Sequence, residues 1–321
     1  MVRLSLHEHW EAQVKLWFVL VGGGAKGRWQ AGAFYTLAQA GWLEKAEGIV
    51  GTSVGGLNAC MILAGLVQGK KADLLKDTWV SITQNSDIFS PSIPGSGWAA
   101  LNPWTDIQLL GAARRFIFGP SFFDTSALQK KAAQVLGKIT TEDVVKTTGK
   151  QLLVRAFNYE AGEVHTLTGR LQDMALCTSA IEGVFPSHLG YGDGGAADNA
   201  PLDVAVSFGA THVVVVYCGP QDKAWQPKSV WVDGSTPVPP GRTGLQNAED
   251  VANKIVSMNE ALVWQICQSR KGINFLHVFP GEDTGSALDF STVELWDKGV
   301  GEGNQAILQA QVLPEWSEMG S

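Results

Sequence analysis

Charge is scarce in this sequence, and basic charge is the scarcer kind. Charged residues make up 17% of the chain, and 24 Lys and Arg against 31 Asp and Glu leave a formal net charge of −7. Nucleic-acid binding needs clustered Lys and Arg that neutralise phosphates, so the balance argues against a nucleic-acid partner. It does not exclude membrane contact, because a local apolar or basic patch can act against an acidic average. No run of about 18 apolar residues occurs, so no transmembrane helix is expected. The apolar stretch Leu16 to Val21 is too short for the hydrophobic part of a signal peptide and follows the acidic Glu8 and Glu11. The expected location is cytoplasmic or peripheral to a membrane. Cysteine is sparse too: Cys60, Cys177, Cys218 and Cys267 stand far apart with no C-x-x-C pair. A chain of 321 residues, 45% hydrophobic, buries a core without a disulfide framework. The cysteines therefore read as free core thiols, which favours a reducing compartment. No set of ligands has metal-site spacing, and no cofactor is expected. Internal repeats and low-complexity tracts are also missing.

What the chain has in plenty is glycine, 37 residues of it, set at the ends of apolar runs. Lys15 to Val21 is a compact apolar run that stops at three glycines, which reads as a buried strand. Arg28 to Ala40 changes to helical spacing, with Trp29, Ala33, Leu37 and Ala40 on one side and Gly41 closing it. A very short strand, Ile49-Val50, lies between Gly48 and Gly51, and Val54 to Val67 reads as an apolar helix. This alternation predicts an α/β fold with a mostly parallel sheet and helices on its faces. Gln151 to Asn158, Val164 to Leu167, His212 to Tyr217 and Asn274 to Phe279 are the expected later strands.

Two segments read as long irregular loops, either plain surface loops or functional loops or lids: Ser86 to Trp104, with Pro91, Pro94 and Pro103, and Gly219 to Gly244, with five prolines. A helix-like stretch runs from Leu245 towards Gln268. Neither loop reads as a linker, so a single domain over 1–321 is expected. Its motif-bearing core covers about 16–217, and 218–321 packs on that core without an assigned role.

Gly51-Thr52-Ser53-Val54-Gly55 matches G-x-S-x-G. A strand-to-helix turn this tight forces its central residue into a strained conformation, lifts the hydroxyl off the sheet and leaves room for close approach at the glycines. It also aims the amides of the next helix's N-terminus at a developing oxyanion. Ser53 is thus the candidate nucleophile of a serine hydrolase. Gly22-Gly23-Gly24-Ala25-Lys26-Gly27 fits the dinucleotide pattern G-x-G-x-x-G after a strand and before a helix. That use needs an acid at the end of the second strand, but Glu44 and Glu47 precede that strand and Thr52-Ser53 end it. The other use of such a loop is an oxyanion hole beside Ser53, because turns after neighbouring parallel strands lie side by side.

A nucleophilic serine needs a base. His7 and His9 precede the first strand, His212 and His277 lie in strand positions, and His188 lies in a Pro/Gly-rich loop. His212 or His277 could complete a triad, although neither follows its strand in a loop as a triad histidine does, and His188 is a weaker third candidate. Tyr191-Gly192-Asp193-Gly194-Gly195 offers a carboxylate that glycines leave free to approach another loop. A lone Asp has a pKa of about 3.9, and burial beside an apolar pocket raises it towards that of a useful base.

In order along the chain, Leu20 to Gly27, Ile49 to Asn58 with its extra Gly56, Phe123 to Leu128, and Ala180 to Pro186 followed by Asp193-Gly194-Gly195 and Asn199 to Leu202 resemble the patatin-like phospholipase family. The resemblance spans Leu16 to Tyr217. It implies a three-layer α/β/α sandwich and a Ser53–Asp193 dyad without histidine, in which Asp193 takes the Ser53 proton and later activates water. It also implies an oxyanion hole from the amides of Gly22, Gly23, Gly24 and Ala25, with Gly27, Gly51, Gly55, Gly194 and Gly195 as motif glycines. The implied substrates are lipid acyl esters, with peripheral membrane contact through residues such as Phe89, Trp98 and Trp104. The chain departs from the family in Lys26, where many members carry Arg, in Glu182, where a small or apolar residue is common, and beyond Gln221, where nothing matches. Two other readings compete: an acyltransferase or soluble short-chain esterase using the same dyad, and a nucleotide-binding or inactive interaction protein.

Overall fold

The computed structural model describes residues 14–91, 121, 123–220, 265–267 and 269–316. Its first strand, β1 (Leu16–Leu20), is buried at every residue. It pairs in parallel with β2 (Ala46–Thr52) on one side and β8 (His212–Val216) on the other. A strand flanked on both edges and both faces has to be apolar throughout, and LWFVL is. Its side chains alternate between two cores. Leu16, Phe18 and Leu20 face a large one, and Trp17, Val19 and Val21 face a smaller one.

Between β1 and β8 the chain runs through α1 (Gly27–Gln39), α2 (Trp42–Lys45), α3 (Val54–Val67) and α4 (Asp73–Val80). The two-residue strands β3 (Ser90–Pro91) and β4 (Phe123–Asp124) pair with each other. Then come α5 (Ser126–Leu136), α6 (Thr141–Thr148), β5 (Gln151–Asn158), β6 (Glu163–Leu167), α7 (Leu171–Thr178), β7 (Tyr191–Asp193) and α8 (Leu202–Ser207). After β8 follow β9 (Asn274–Val278) and α9 (Leu295–Gln311). The main sheet has the order β6-β5-β2-β1-β8-β9, with β7 attached to β5. Helices α1 and α3 cover the large-core face, and α8 covers part of the other, which makes a three-layer α/β/α sandwich around a mostly parallel sheet.

Several expectations change in detail. The second strand is seven residues long rather than two, because Ala46 to Gly48 lie extended against β1. β6, grouped with the parallel strands, is antiparallel to β5. A four-residue hairpin connection leaves no room for the crossover that a parallel pair requires. Ala40 lies outside α1 and is exposed. Gly27 to Ala38 of α1 is buried apart from the half-buried Tyr35, since α9 covers its outer face: a side chain at Gly299 would meet the Trp29 carbonyl oxygen at 2.1 Å. Phe89 is 2% exposed and packs on Phe123, Phe185 and Phe290, so it is core and not an interfacial contact. Trp98, Trp104, most of both long loops and the stretch from Leu245 to Gln268, apart from 265–267, lie outside the described residues, as do His7 and His9. All four cysteines are free and buried. Among the described residues, no helix is long and apolar enough to cross a membrane.

Candidate active site

Register in the sheet explains how two residues far apart in sequence come together. β2 pairs with β5 as far as Thr52 opposite Arg155. Ser53 then leaves the sheet to start α3, which vacates that edge of β5. β7 takes the vacated place in the antiparallel sense, with Asp193 opposite Ala156. Ser53 and Asp193 thus meet end to end in one strand slot. The Ser53 hydroxyl donates to Asp193 Oδ2 at 2.5 Å, and both residues are 6% exposed.

Ser53 sits at φ 56°, ψ −132°, a conformation that an L-residue keeps only when its surroundings impose it. Gly55 is one of the causes. A Cβ there would lie 2.1 Å from the Leu20 carbonyl oxygen, so only glycine lets α3 start this close to β1. Gly51 packs in the same way against the backbone of Gly55, and Gly27 against Val54.

The other cause is a residue that the sequence reading missed. Thr178, fully buried at the end of α7, accepts the Ser53 N–H at 2.7 Å and donates to the Arg155 carbonyl at 2.6 Å. Its hydroxyl bridges nucleophile turn and sheet. Thr178→Val leaves a buried donor and a buried acceptor unpaired, so it is expected to cost about 1–3 kcal/mol of stability. It should also lower kcat with KM unchanged, and Thr178→Ser should restore both. An unchanged kcat in the valine variant would mean that glycine packing alone holds the turn.

Asp193 is held by a second bond, from the Gly195 amide to Oδ1 at 2.8 Å. Burial pushes its carboxyl up to about 7. The Ser53 and Gly195 hydrogen bonds work against that rise, and the nearby Glu182 charge adds to it. Gly194 passes close to Arg155, where a Cβ would be 3.1 Å from its carbonyl oxygen. The loop that follows fastens the site's other parts. The Asp198 carbonyl accepts the Thr52 hydroxyl at 2.8 Å, the Asp198 carboxylate pairs with Arg155 Nε at 2.6 Å, and the Asn199 carbonyl accepts the Gly22 amide at 3.2 Å.

The four amides expected to face an oxyanion divide into two pairs. Gly22 N–H is taken by Asn199, and Ala25 N–H donates to the Ala287 carbonyl at 2.7 Å. An amide already donating along a short bond is not available to a substrate oxygen. Gly23 and Gly24 N–H have no acceptor among the described residues, nor has the amide of Val54 at the start of α3. Fewer of these amides are thus unengaged than expected, and the course of the glycine loop depends on Ala287, from the part of the chain that the sequence reading left unassigned. No residue type signals that contact, because a backbone carbonyl makes it.

The histidines lie elsewhere. His212 opens β8, at the sheet edge opposite Ser53, and contacts the Glu315 carbonyl at 2.8 Å. His277 contacts the Tyr217 hydroxyl at 3.1 Å, and burial pushes its pKa down to about 4. His188 contacts Asp173 at 3.1 Å. Among the described residues, none touches Ser53 or Asp193, and no group of three His, Cys, Asp or Glu is placed to hold a metal ion.

Beside Ser53 lies an apolar pocket walled by Leu57, Met61, Trp79, Leu128, Phe185 and Phe290. It runs into the large core between α3, α4 and α5, and its walls suit a hydrocarbon chain. Lys131, bonded to the Ser81 hydroxyl at 2.9 Å, is the charged residue on its wall.

A family model described as patatin-like phospholipase matches residues 18–206, which hold Ser53, Asp193 and the glycine loop. No curated protein matches the sequence significantly. Among solved structures the chain is similar to VipD from Legionella pneumophila, at 14% identity over 92% of this chain and 66% of that one, with a TM-score of 0.43. It is also similar to the type III effector protein ExoU, at 12% identity over 96% and 58%, with a TM-score of 0.36. A structure of full-length SpcU with full-length ExoU from the type III secretion system of Pseudomonas aeruginosa matches at 14% identity over 79% and 53%, with a TM-score of 0.29. The chain therefore spans 66%, 58% and 53% of the length of these three.

Proposed function

Because this chain belongs to the patatin-like phospholipase family, a family of lipid hydrolases, we propose that it hydrolyses lipid acyl esters with Ser53 as nucleophile and Asp193 as base. The observation that carries the reading is the 2.5 Å hydrogen bond from the Ser53 hydroxyl to a buried carboxylate, at the mouth of an apolar pocket. As Ser53 Oγ attacks the ester carbon, its proton passes to Asp193 Oδ2 and the carbonyl electrons move onto oxygen. The free amides of Gly23, Gly24 and Val54 are the donors in reach of that oxyanion. Collapse expels the alcohol, which takes the proton from Asp193 and leaves acyl-Ser53. Water then gives a proton to Asp193, attacks the acyl carbon and releases the fatty acid, and Ser53 recovers its proton. A carboxyl raised to about 7 suits both halves, since it accepts and returns a proton near neutral pH. The acyl chain occupies the apolar pocket, and the chain acts as one domain in which β9 and α9 belong to the catalytic unit.

An alkyl fluorophosphonate tests the nucleophile. One label per chain is expected, on the peptide carrying Ser53, together with a burst of p-nitrophenol from a p-nitrophenyl ester equal to the enzyme present. Labelling of another serine, or ester hydrolysis without Ser53 modification, would overturn the assignment.

A further inference from the structure

The β5 extension that receives Asp193 continues beyond the site. β5 outruns β2 by three residues, Ala156 to Asn158, paired there with β6 and β7. At about 3.3 Å per residue, the tips of these hairpins stand on the order of 10–15 Å beyond the level of Ser53. They stand on the edge of the sheet where the nucleophile emerges. The tips are joined, since Tyr159 N–H donates to the Gly190 carbonyl at 3.1 Å.

Leu189 is at the summit, in the wrong conformation for a leucine. His188 and Tyr191 exchange two backbone hydrogen bonds, at 3.0 and 2.9 Å, around the two-residue turn Leu189-Gly190. Both turn residues have positive φ, 53° and 81°. This left-handed turn favours Asn-Gly, Asp-Gly or Gly-Gly. Leucine there is strained and gains nothing by packing, because it is 68% exposed. Tyr159 beside it is 46% exposed. An exposed apolar side chain held in a disfavoured backbone conformation calls for a role outside the folded core.

The surrounding charge narrows that role. Residues 156–169 and 181–194 contain Glu160, Glu163, Glu182 and the buried Asp193, but no Lys or Arg. A protein partner needs roughly 800 Å² of complementary surface on each side, which a convex tip with one leucine and one tyrosine does not supply. Insertion between lipid headgroups needs only an aliphatic tip with an amphipathic ring at its shoulder. With Arg155 lower on β5 and engaged by Asp198 and Thr166, the formal charges of the tips are carboxylates, which repel an anionic surface and complement outward-facing ammonium groups.

We propose that the paired tips at Leu189 and Tyr159 are the contact surface for a zwitterionic lipid membrane, which Leu189 enters beside the mouth of the site. The inference rests on the lipid-hydrolase reading, and its test does not depend on turnover. Full-length protein carrying Ser53→Ala is floated with vesicles of phosphatidylcholine or of phosphatidylglycerol. Binding to phosphatidylcholine is expected to exceed binding to phosphatidylglycerol, and Leu189→Asn to weaken the former about tenfold. The same substitution should raise the melting temperature, because Asn tolerates the left-handed conformation, so weaker binding cannot be put down to unfolding. With Ser53 intact, Leu189→Asn should hydrolyse a monomeric water-soluble ester at the unsubstituted rate. Three results would each overturn the proposal: no vesicle binding, equal or tighter binding to phosphatidylglycerol, or unaltered binding after Leu189→Asn. A failed nucleophile assignment would show separately, as absence of hydrolysis of the soluble ester.

Discussion

Replacing Asp193 by Asn is expected to lower kcat/KM for a carboxylic ester by about three orders of magnitude, with KM little changed, while making the protein more stable. Asn fills the same space, and its carbonyl still accepts the Gly195 amide that Oδ1 accepts at 2.8 Å. Its other terminal atom is an NH₂ that cannot take the Ser53 proton. KM should hold because Asp193 is not part of the apolar pocket wall. Adding Ser53→Ala should cost little more, since two residues acting as one unit are not additive.

The unsubstituted enzyme carries the matching pH signature. In the proposed dyad Asp193 would accept the proton only when ionised, and burial raises its carboxyl to about 7. Thus kcat/KM should climb about tenfold per pH unit up to that point and level off above it. A profile flat down to pH ~5 would show that another group is the base. Stability runs the other way. In the unfolded chain Asp titrates at about 3.9, so the folded state holds this proton more tightly. Between about pH 4 and 7 the folded state is therefore penalised increasingly as pH rises, and above 7 the penalty is complete. Three pKa units correspond to about 4 kcal/mol, the upper end of what Asp193→Asn should recover above pH 7. The gain should nearly vanish near pH 4, where the carboxyl is neutral in the folded state and only about half ionised in the unfolded one. Thermal unfolding of the two proteins at pH 4 and pH 8 checks this, and a less stable Asn variant at pH 8 would contradict the burial that underlies the dyad.

That experiment also probes how far the sequence could be read. β1 and β5 were legible because a short apolar run that ends in glycines, or that polar residues bound as Gln151 and Asn158 do, has few other uses. The turn at Ser53 was legible because its glycines, strand and helix all stand within a dozen residues. The role of Asp193 was not legible locally. A D-G-G segment is an ordinary turn, and only the resemblance to a family joined it to Ser53. The physical link is the slot on β5 that β2 vacates and β7 fills, which is a matter of register between distant strands. Thr178 escaped notice because a threonine ending a helix is commonplace until its partners are known. Phe89 was misread because its neighbours are Ser and Pro, while the aromatic residues it packs against, Phe123, Phe185 and Phe290, are distant in sequence. At the hairpin tips the lack of Lys and Arg in residues 156–169 and 181–194 is a sequence fact that went unread. The exposed, left-handed Leu189 is not.

The second large effect is expected at Gly24. Gly24→Ala should lower kcat by about two to three orders of magnitude, with substrate affinity nearly kept. Gly24 has φ +58°, and a Cβ there would fall 2.2 Å from the Ala287 carbonyl oxygen. That oxygen cannot retreat freely, because it accepts the Ala25 amide at 2.7 Å. The glycine loop must move instead, and the Gly23 and Gly24 amides move with it. If these donors serve the oxyanion rather than the bound ester, as proposed, the loss belongs in kcat. A left-handed alanine also costs about 1 kcal/mol of stability wherever it is placed, so a control is needed. Gly69, just past the C-terminal end of α3, has φ +71° and nothing within 4 Å of a Cβ. The intervening helix spans 14 residues, or roughly 20 Å. Gly69→Ala should therefore pay the same backbone cost and keep full activity. If both variants lose stability alike but only Gly24→Ala loses kcat, the loss comes from the displaced amides. If Gly24→Ala keeps kcat, the oxyanion is held elsewhere, and the amide of Val54 at the start of α3 becomes the principal donor.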